Sequence, residues 1–140
     1  MLDPRAPRRF EVELVFRAQT YDIDFAGIVS NIVYIRWLED LRLKLLDEYW
    51  PLQDQMAAGY APVLLSTDIR YLRALRLFAS VAGTMWMSHL GRARFTLEAE
   101  FTAGDETVAA ATQVGALVNL DSLRPIRIPS SLAVAYGEQV

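Results

Sequence analysis

The sequence predicts an α+β domain, a five-stranded antiparallel sheet wrapped around one long central helix. Two features of its 140 residues point there. Three segments carry apolar residues at the two-residue period of a strand, two more are apolar on both sides, and a single segment follows the 3.6-residue period of a helix. Their order is one strand, a loop, the helix and then four strands. It has one economical solution, in which the helix sets its apolar stripe on the concave face of a twisted sheet. The length suits one domain over residues 1–140, large enough to bury about 68% of the surface that the unfolded chain exposes.

The first strand is read from Phe10, Val12, Leu14, Phe16 and Ala18, which alternate with Glu11, Glu13, Arg17 and Gln19. The helix spans Asn31 to Tyr49. Tyr34, Trp37, Leu38, Leu41, Leu45 and Tyr49 share one stripe, with Arg36, Asp40, Lys44, Asp47 and Glu48 on the opposite arc. Arg36 with Asp40, and Lys44 with Glu48, have the i,i+4 spacing of surface pairs. Ser30 or Asn31 is placed to cap the helix start, and Pro51 to end it. From Pro62 to Arg73, the residues Val63, Leu65, Thr67, Ile69 and Tyr71 are expected on one side of a strand.

Leu77 to Leu90 and Thr107 to Leu120 are apolar on both sides, which suits central strands or strands at a subunit contact, with Val81, Met85, Val108 and Val118 as the contact residues. Between them Ala93, Phe95, Leu97, Ala99 and Phe101 oppose Arg92, Arg94, Thr96, Glu98 and Glu100. The tail, about 124–140, is turn-rich through Pro125 and Pro129 and ends in a short helix over Ser130 to Gly137.

Composition removes many reaction classes. There is no cysteine, so no thiolate nucleophile, disulfide or Cys-bound metal. There is one histidine, His89, which rules out His-rich metal sites and is read as a structural or interface residue. No metal or cofactor is expected, and the remaining chemistry rests on carboxylates, hydroxyls and backbone dipoles. A net charge of −3 argues against a nucleic-acid footprint. No segment reads as a membrane span or a signal peptide, so a cytoplasmic location is expected.

The loop Tyr21-Asp22-Ile23-Asp24-Phe25-Ala26-Gly27-Ile28-Val29-Ser30 runs directly into the helix. Two acids there sit ahead of unpaired N–H groups and the positive end of the macrodipole, which keeps carboxylates ionised. Gly27 allows a tight turn or a close backbone approach. One reading has Asp22 and Asp24 simply complementing the dipole. The other has one acid attacking a carbonyl, or activating water, while the helix N–H groups polarise that carbonyl.

Residues 24 to 42, D-F-A-G-I-V-S-N-I-V-Y-I-R-W-L-E-D-L-R, resemble the signature of the 4-hydroxybenzoyl-CoA thioesterase-like family of hotdog-fold acyl-CoA thioesterases. The pattern D-x-x-G-x-V-x-x-x-x-Y-x-x-W-x-E-x-x-R falls on Asp24, Gly27, Val29, Tyr34, Trp37, Glu39 and Arg42. The similarity continues near residue 92 and to the Ile-Pro before residue 130. It implies a hotdog fold, hydrolysis of a thioester to a carboxylic acid and free CoA, and a homodimer or homotetramer with shared sites. The substrate is an acyl-CoA or an acyl-carrier protein.

Carried over by position, the resemblance makes Asp24 the catalytic carboxylate, as nucleophile or general base, and Asn31 the presenter of a helix-start N–H to the thioester oxygen. Glu39 falls where some relatives place an acyl-pocket acid. Tyr34 is expected near the acyl group and Gly27 beside the substrate. Ser66 is a candidate for the pocket wall, and Arg92 for the CoA phosphates among Arg70, Arg73, Arg76 and Arg94. The chain departs from the pattern at Ser30 and Asn31, where relatives carry Tyr-His or Asn-Asn, and this bears on substrate class. Two other functions fit the same shape: a non-catalytic acyl-CoA or partner-binding domain, and a hotdog hydratase or dehydratase that would draw on His89.

Overall fold

A computed structural model of the chain describes residues 8–139; the segment with Pro4 and Pro7, and Val140, lie outside them. Strand β1 (Arg9–Arg17) leads through a 3-10 turn (Thr20–Asp22) and a loop into helix α1 (Asn31–Tyr49) and the short α2 (Leu52–Ala57). Four long strands follow: β2 (Tyr60–Tyr71), β3 (Ser80–Leu90), β4 (Arg94–Ala103) and β5 (Glu106–Asn119). The chain ends in β6 (Pro125–Ile126) and α3 (Ser130–Gly137). The sheet order is β1-β3-β4-β5-β2, and every pairing is antiparallel. β4 begins opposite Ala116, and the two-residue β6 pairs the next positions of β5, Leu117 and Val118.

The expected helix has the expected bounds, and its stripe is the core. Tyr34, Trp37, Leu38, Leu41 and Leu45 are buried against Phe16, Met85, Leu97 and Phe101. Each such side chain stabilises the fold by about 1.5–3 kcal/mol relative to exposure. Gly83 and Gly115 make room on the concave face. A Cβ at Gly83 would lie 2.8 Å from the Phe16 ring, and one at Gly115 would lie 2.3 Å from Phe95. Ser30 occupies the N-cap position without a side-chain capping bond. Of the two expected surface pairs, Lys44–Glu48 closes at 3.8 Å. Pro51 ends α1 as expected, yet the chain resumes at once as α2, which the sequence reading left out.

Three strand expectations change. Leu77 and Phe78 lie in the loop before β3 and are exposed, with Phe78 at φ 66°. In β2 a bulge between Leu64 and Ser66 reverses the alternation: Leu64 pairs with Gly115 and Thr67 with Gln113, so both face the helix side, whereas Ser66 turns to the outer face. Val63 therefore does not share a side with Thr67, Ile69 and Tyr71, and Leu65 is the unpaired residue of the bulge. Val81, Met85, Val108 and Val118 are buried inside the single chain, so they are core and offer no subunit contact. No helix among the described residues is long and apolar enough to cross a membrane.

Exposed apolar surface lies elsewhere. Ile32, Ile35 and Leu43 form a second stripe on α1, interrupted by the exposed Glu39. The adjoining edge strand β2 adds exposed Leu65 and Tyr71, with Leu72 just beyond its end.

Candidate active site

The loop between β1 and α1 is fixed by its own backbone. The Asp24 N–H donates to the Ile28 carbonyl at 2.9 Å, and the Gly27 N–H donates back to the Asp24 carbonyl at 3.0 Å. Gly27, at φ 79°, supplies the left-handed residue that closes this turn. The Val29 N–H bonds to the Leu75 carbonyl at 2.8 Å, and Ile28 bridges to Arg76, which ties the loop to the β2–β3 connection.

The two acids occupy different environments. Asp22 is buried, and its Oδ2 accepts the Gln19 N–H at 2.9 Å as part of a capping box. Asp24 is half-buried; its Oδ1 accepts the Ala26 N–H at 2.8 Å, and Oδ2 has no partner among the described residues. Asn31 opens α1, and the N–H groups of Asn31 and Ile32 have no partner among the described residues, as is usual for a helix start.

A pocket of about 160 Å³ lies beside this helix start, lined by Asn31, Tyr34, Tyr71, Leu72, Leu75 and Ile28 among others. Tyr34 forms its floor and packs edge-on against Trp37, Tyr71 and Phe101. Burial, with a smaller contribution from nearby Tyr71, pushes the Tyr34 hydroxyl up to about 12, so it is a neutral donor at pH 7. That hydroxyl has no hydrogen-bond partner among the described residues. Tyr71 donates from its own hydroxyl to the Asn31 carbonyl at 3.2 Å.

Asn31 and Tyr34 line this pocket, whereas Asp24 and Gly27 sit in the loop ahead of the helix at the same end of the sheet and are not among its lining residues. The structure does not bring the other three candidates there. Ser66 is exposed on the outer face of β2. Glu39 is exposed along α1 and does not line the pocket. Arg92 lies in the turn before β4, at the opposite end, where its carbonyl accepts the Ile128 N–H at 2.7 Å. Exposed Arg94, Arg124 and Arg127 share that end with it, as does exposed His89. Among the described residues His89 makes no ion pair with an acid, as the hydratase reading would use.

Two features escape sequence reasoning. Tyr71 reads only as a strand residue, because nothing local announces its contact with Asn31, 40 positions away. The signature Arg42 reaches the buried Gln113 at 3.3 Å, and Gln113 donates to Thr67 at 3.2 Å, so a polar thread joins α1 to β5 and edge strand β2. Burial pulls the Arg42 guanidinium below its ordinary value, and nearby Glu39 opposes that shift.

One helix laid on an antiparallel sheet in this strand order is the hotdog fold, and solved structures agree. A DHNA-CoA thioesterase from Staphylococcus aureus matches with a TM-score of 0.83 at 17% identity, over 91% of this chain and 89% of the other. The probable thioesterase YbaW from Escherichia coli matches with 0.82 at 21% identity, over 91% and 98%. A mutant 4-hydroxybenzoyl CoA thioesterase complexed with 4-hydroxybenzoyl CoA matches with 0.82 at 17% identity, over 90% and 98%. At these identities the likeness establishes the fold. A comparison with curated protein sequences finds no match. The family model of the thioesterase-like superfamily matches residues 18–136, and the chain belongs to that superfamily. With the family comes the class of activity, thioester hydrolase.

Proposed function

We propose that the chain hydrolyses acyl-CoA thioesters to a carboxylic acid and free CoA, with Asp24 as the catalytic carboxylate. The observation that carries this reading is the uncommitted Asp24 oxygen ahead of an uncapped helix start with an aromatic pocket beside it. A thioester carbonyl over the first turn of α1 develops negative charge as it is attacked, and the N–H groups near Asn31 stabilise that charge. The loss of one such donor costs about 2.7–4 kcal/mol in known cases. Asp24 either removes a proton from the attacking water, or attacks the carbonyl carbon itself to give a mixed anhydride that water then cleaves. In both routes the C–S bond breaks and CoA leaves as a thiolate that takes up a proton.

The working unit in this proposal is a homodimer or a larger assembly built on it. Edge strand β2 and the exposed Ile32, Ile35 and Leu43 stripe are its candidate interface. Antiparallel pairing of two β2 edges sets the end of one chain that holds Asn31 beside the other chain's opposite end. That arrangement delivers Arg92 and Arg94 of a second copy toward Asp24, where guanidinium groups suit CoA phosphates. Glu39, on the same stripe, would then face the shared site, and an acyl-carrier protein is an alternative carrier of the same thioester.

The test is release of free thiol from a panel of acyl-CoAs, with no thiol background because the chain has no cysteine. Hydrolysis that is lost in Asp24→Asn supports the reading. Tight acyl-CoA binding without thiol release would instead support a binding domain, and addition of water across an enoyl-CoA double bond would support a hydratase.

A further inference from the structure

We propose that Tyr71 sets the upper size of the acyl group, so that the substrates of this chain carry an acyl group no bulkier than about one aromatic ring. The inference rests on the thioesterase reading above and concerns the pocket beside Asn31.

The size argument starts from volume. The pocket holds about 160 Å³. A protein cavity of about 150 Å³ with apolar walls accommodates one benzene molecule. The lining beyond Asn31 and Arg73 is apolar or aromatic, which suits the hydrocarbon part of an acyl group.

The floor has no slack. Tyr34 is 3% exposed. Its ring meets those of Trp37 at 5.2 Å and Phe101 at 5.4 Å, and Phe16 stacks on Trp37 at 5.1 Å. These contacts have the edge-on and stacked geometries that aromatic pairs favour, so a longer acyl group cannot sink inward without overpacking the core. Its way out lies past Tyr71, toward the β2 edge where the proposed second copy pairs.

Tyr71 is the outer wall, 43% exposed in the single chain. Its backbone is paired with Ala109 in the β2–β5 ladder, its ring stands edge-on to Tyr34 at 5.4 Å, and its hydroxyl donates to the Asn31 carbonyl. Truncating the ring removes both this wall and the bond to the Asn31 carbonyl, whereas Tyr71→Phe removes the bond alone.

The experiment compares kcat/KM for butanoyl-, benzoyl-, octanoyl- and palmitoyl-CoA in the wild type, Tyr71→Ala, Tyr71→Leu and Tyr71→Phe. The wild type is expected to favour butanoyl- or benzoyl-CoA over octanoyl-CoA by at least about tenfold. Tyr71→Ala and Tyr71→Leu should shift the ratio toward octanoyl-CoA by about tenfold, whereas Tyr71→Phe keeps the ring and so the limit. Tyr71→Leu serves if the alanine variant does not fold. A wild type that favours palmitoyl-CoA, or truncations that leave the ranking unchanged, would overturn the proposal. If the wild type cleaves no thioester, the hydrolase reading fails separately. The size limit is then read from the Kd values of thioether analogues of the same four groups, and equal affinities overturn it.

Discussion

The two ends of the sheet are built for different tasks. At one end β1 gives way to a hydrogen-bonded loop, an uncapped helix start and an aromatic pocket, with Asp24 held by one oxygen. At the other end the core is sealed by rings: Phe10 stacks on Tyr49 at 4.9 Å and meets Tyr136 edge-on at 5.7 Å. The Tyr136 hydroxyl donates to the Met87 carbonyl there. Charge marks the sealed end, where Arg92, Arg94, Arg124 and Arg127 are all exposed. Between the ends run strands of ten or more residues, roughly 30 Å at about 3.3 Å per residue. The proposed reacting groups and the proposed phosphate-binding groups are thus separated within one chain, and the proposed antiparallel pair of chains would unite them.

The largest effect should come from the open end. Asp24→Asn is expected to fold normally and lose at least about a hundredfold in kcat. Near-wild-type turnover in a thiol-release assay would remove Asp24 from the mechanism.

Next comes the proposed union of the two ends. Ile35→Glu combined with Leu43→Glu places charges on a stripe that is exposed in one chain and would be buried in the proposed dimer. Light scattering should report half the mass, with an unchanged circular dichroism spectrum, and activity should fall by about tenfold or more. A dimer that survives both charges would move the interface elsewhere.

At the arginine end, Arg92→Ala should raise KM for acyl-CoA by about tenfold and spare kcat, because a charge-assisted contact to phosphate contributes to binding before and after the transition state alike. An unchanged KM would argue that this end does not meet substrate.

A smaller effect separates the two neighbouring acids. Asp22→Ala removes a buried acceptor from the Gln19 N–H. It should cost about 1–2 kcal/mol in denaturant unfolding, with kcat reduced far less than in Asp24→Asn. Equal losses of kcat in both variants would erase the distinction drawn from their burial.

The smallest effect is a pH dependence of stability. The Tyr34 hydroxyl is raised to about 12 in the folded chain, above its ordinary value near 10. Between those values the unfolded chain loses this proton while the folded chain retains it. Stability linked to Tyr34 is therefore intact below about pH 10 and declines as pH rises toward 12. Thermal unfolding across that range should fall less steeply in Tyr34→Phe.

Much of the architecture is legible from residue order alone. The α1 stripe of Tyr34, Trp37, Leu38, Leu41 and Leu45 has a 3.6-residue period that only a helix face can bury, and the Phe95–Leu97–Ala99–Phe101 alternation fits only a strand. The bulge near Leu65 was not legible, because a one-residue slip in register depends on the partner strand, which local pattern does not encode. The apolar residues on both sides of β3 and β5 suggested a subunit contact, whereas the single chain already buries Val81, Met85, Val108 and Val118. The exposed stripe of Ile32, Ile35 and Leu43 was masked by the stronger core stripe on the same helix.

By itself the sequence determined which residues form the helix and strands, the reaction classes open to a chain without cysteine, and a loop with two acids ahead of a helix. These are properties of composition and of contacts a few positions apart. The tertiary structure decided which acid is buried and which is half-buried, each accepting one backbone N–H. It also decided that Tyr71 closes a pocket on Asn31, and that Arg92 stands at the far end from Asp24. Those outcomes depend on strand order and register, which bring distant positions together or hold them apart, and no local pattern carries that information.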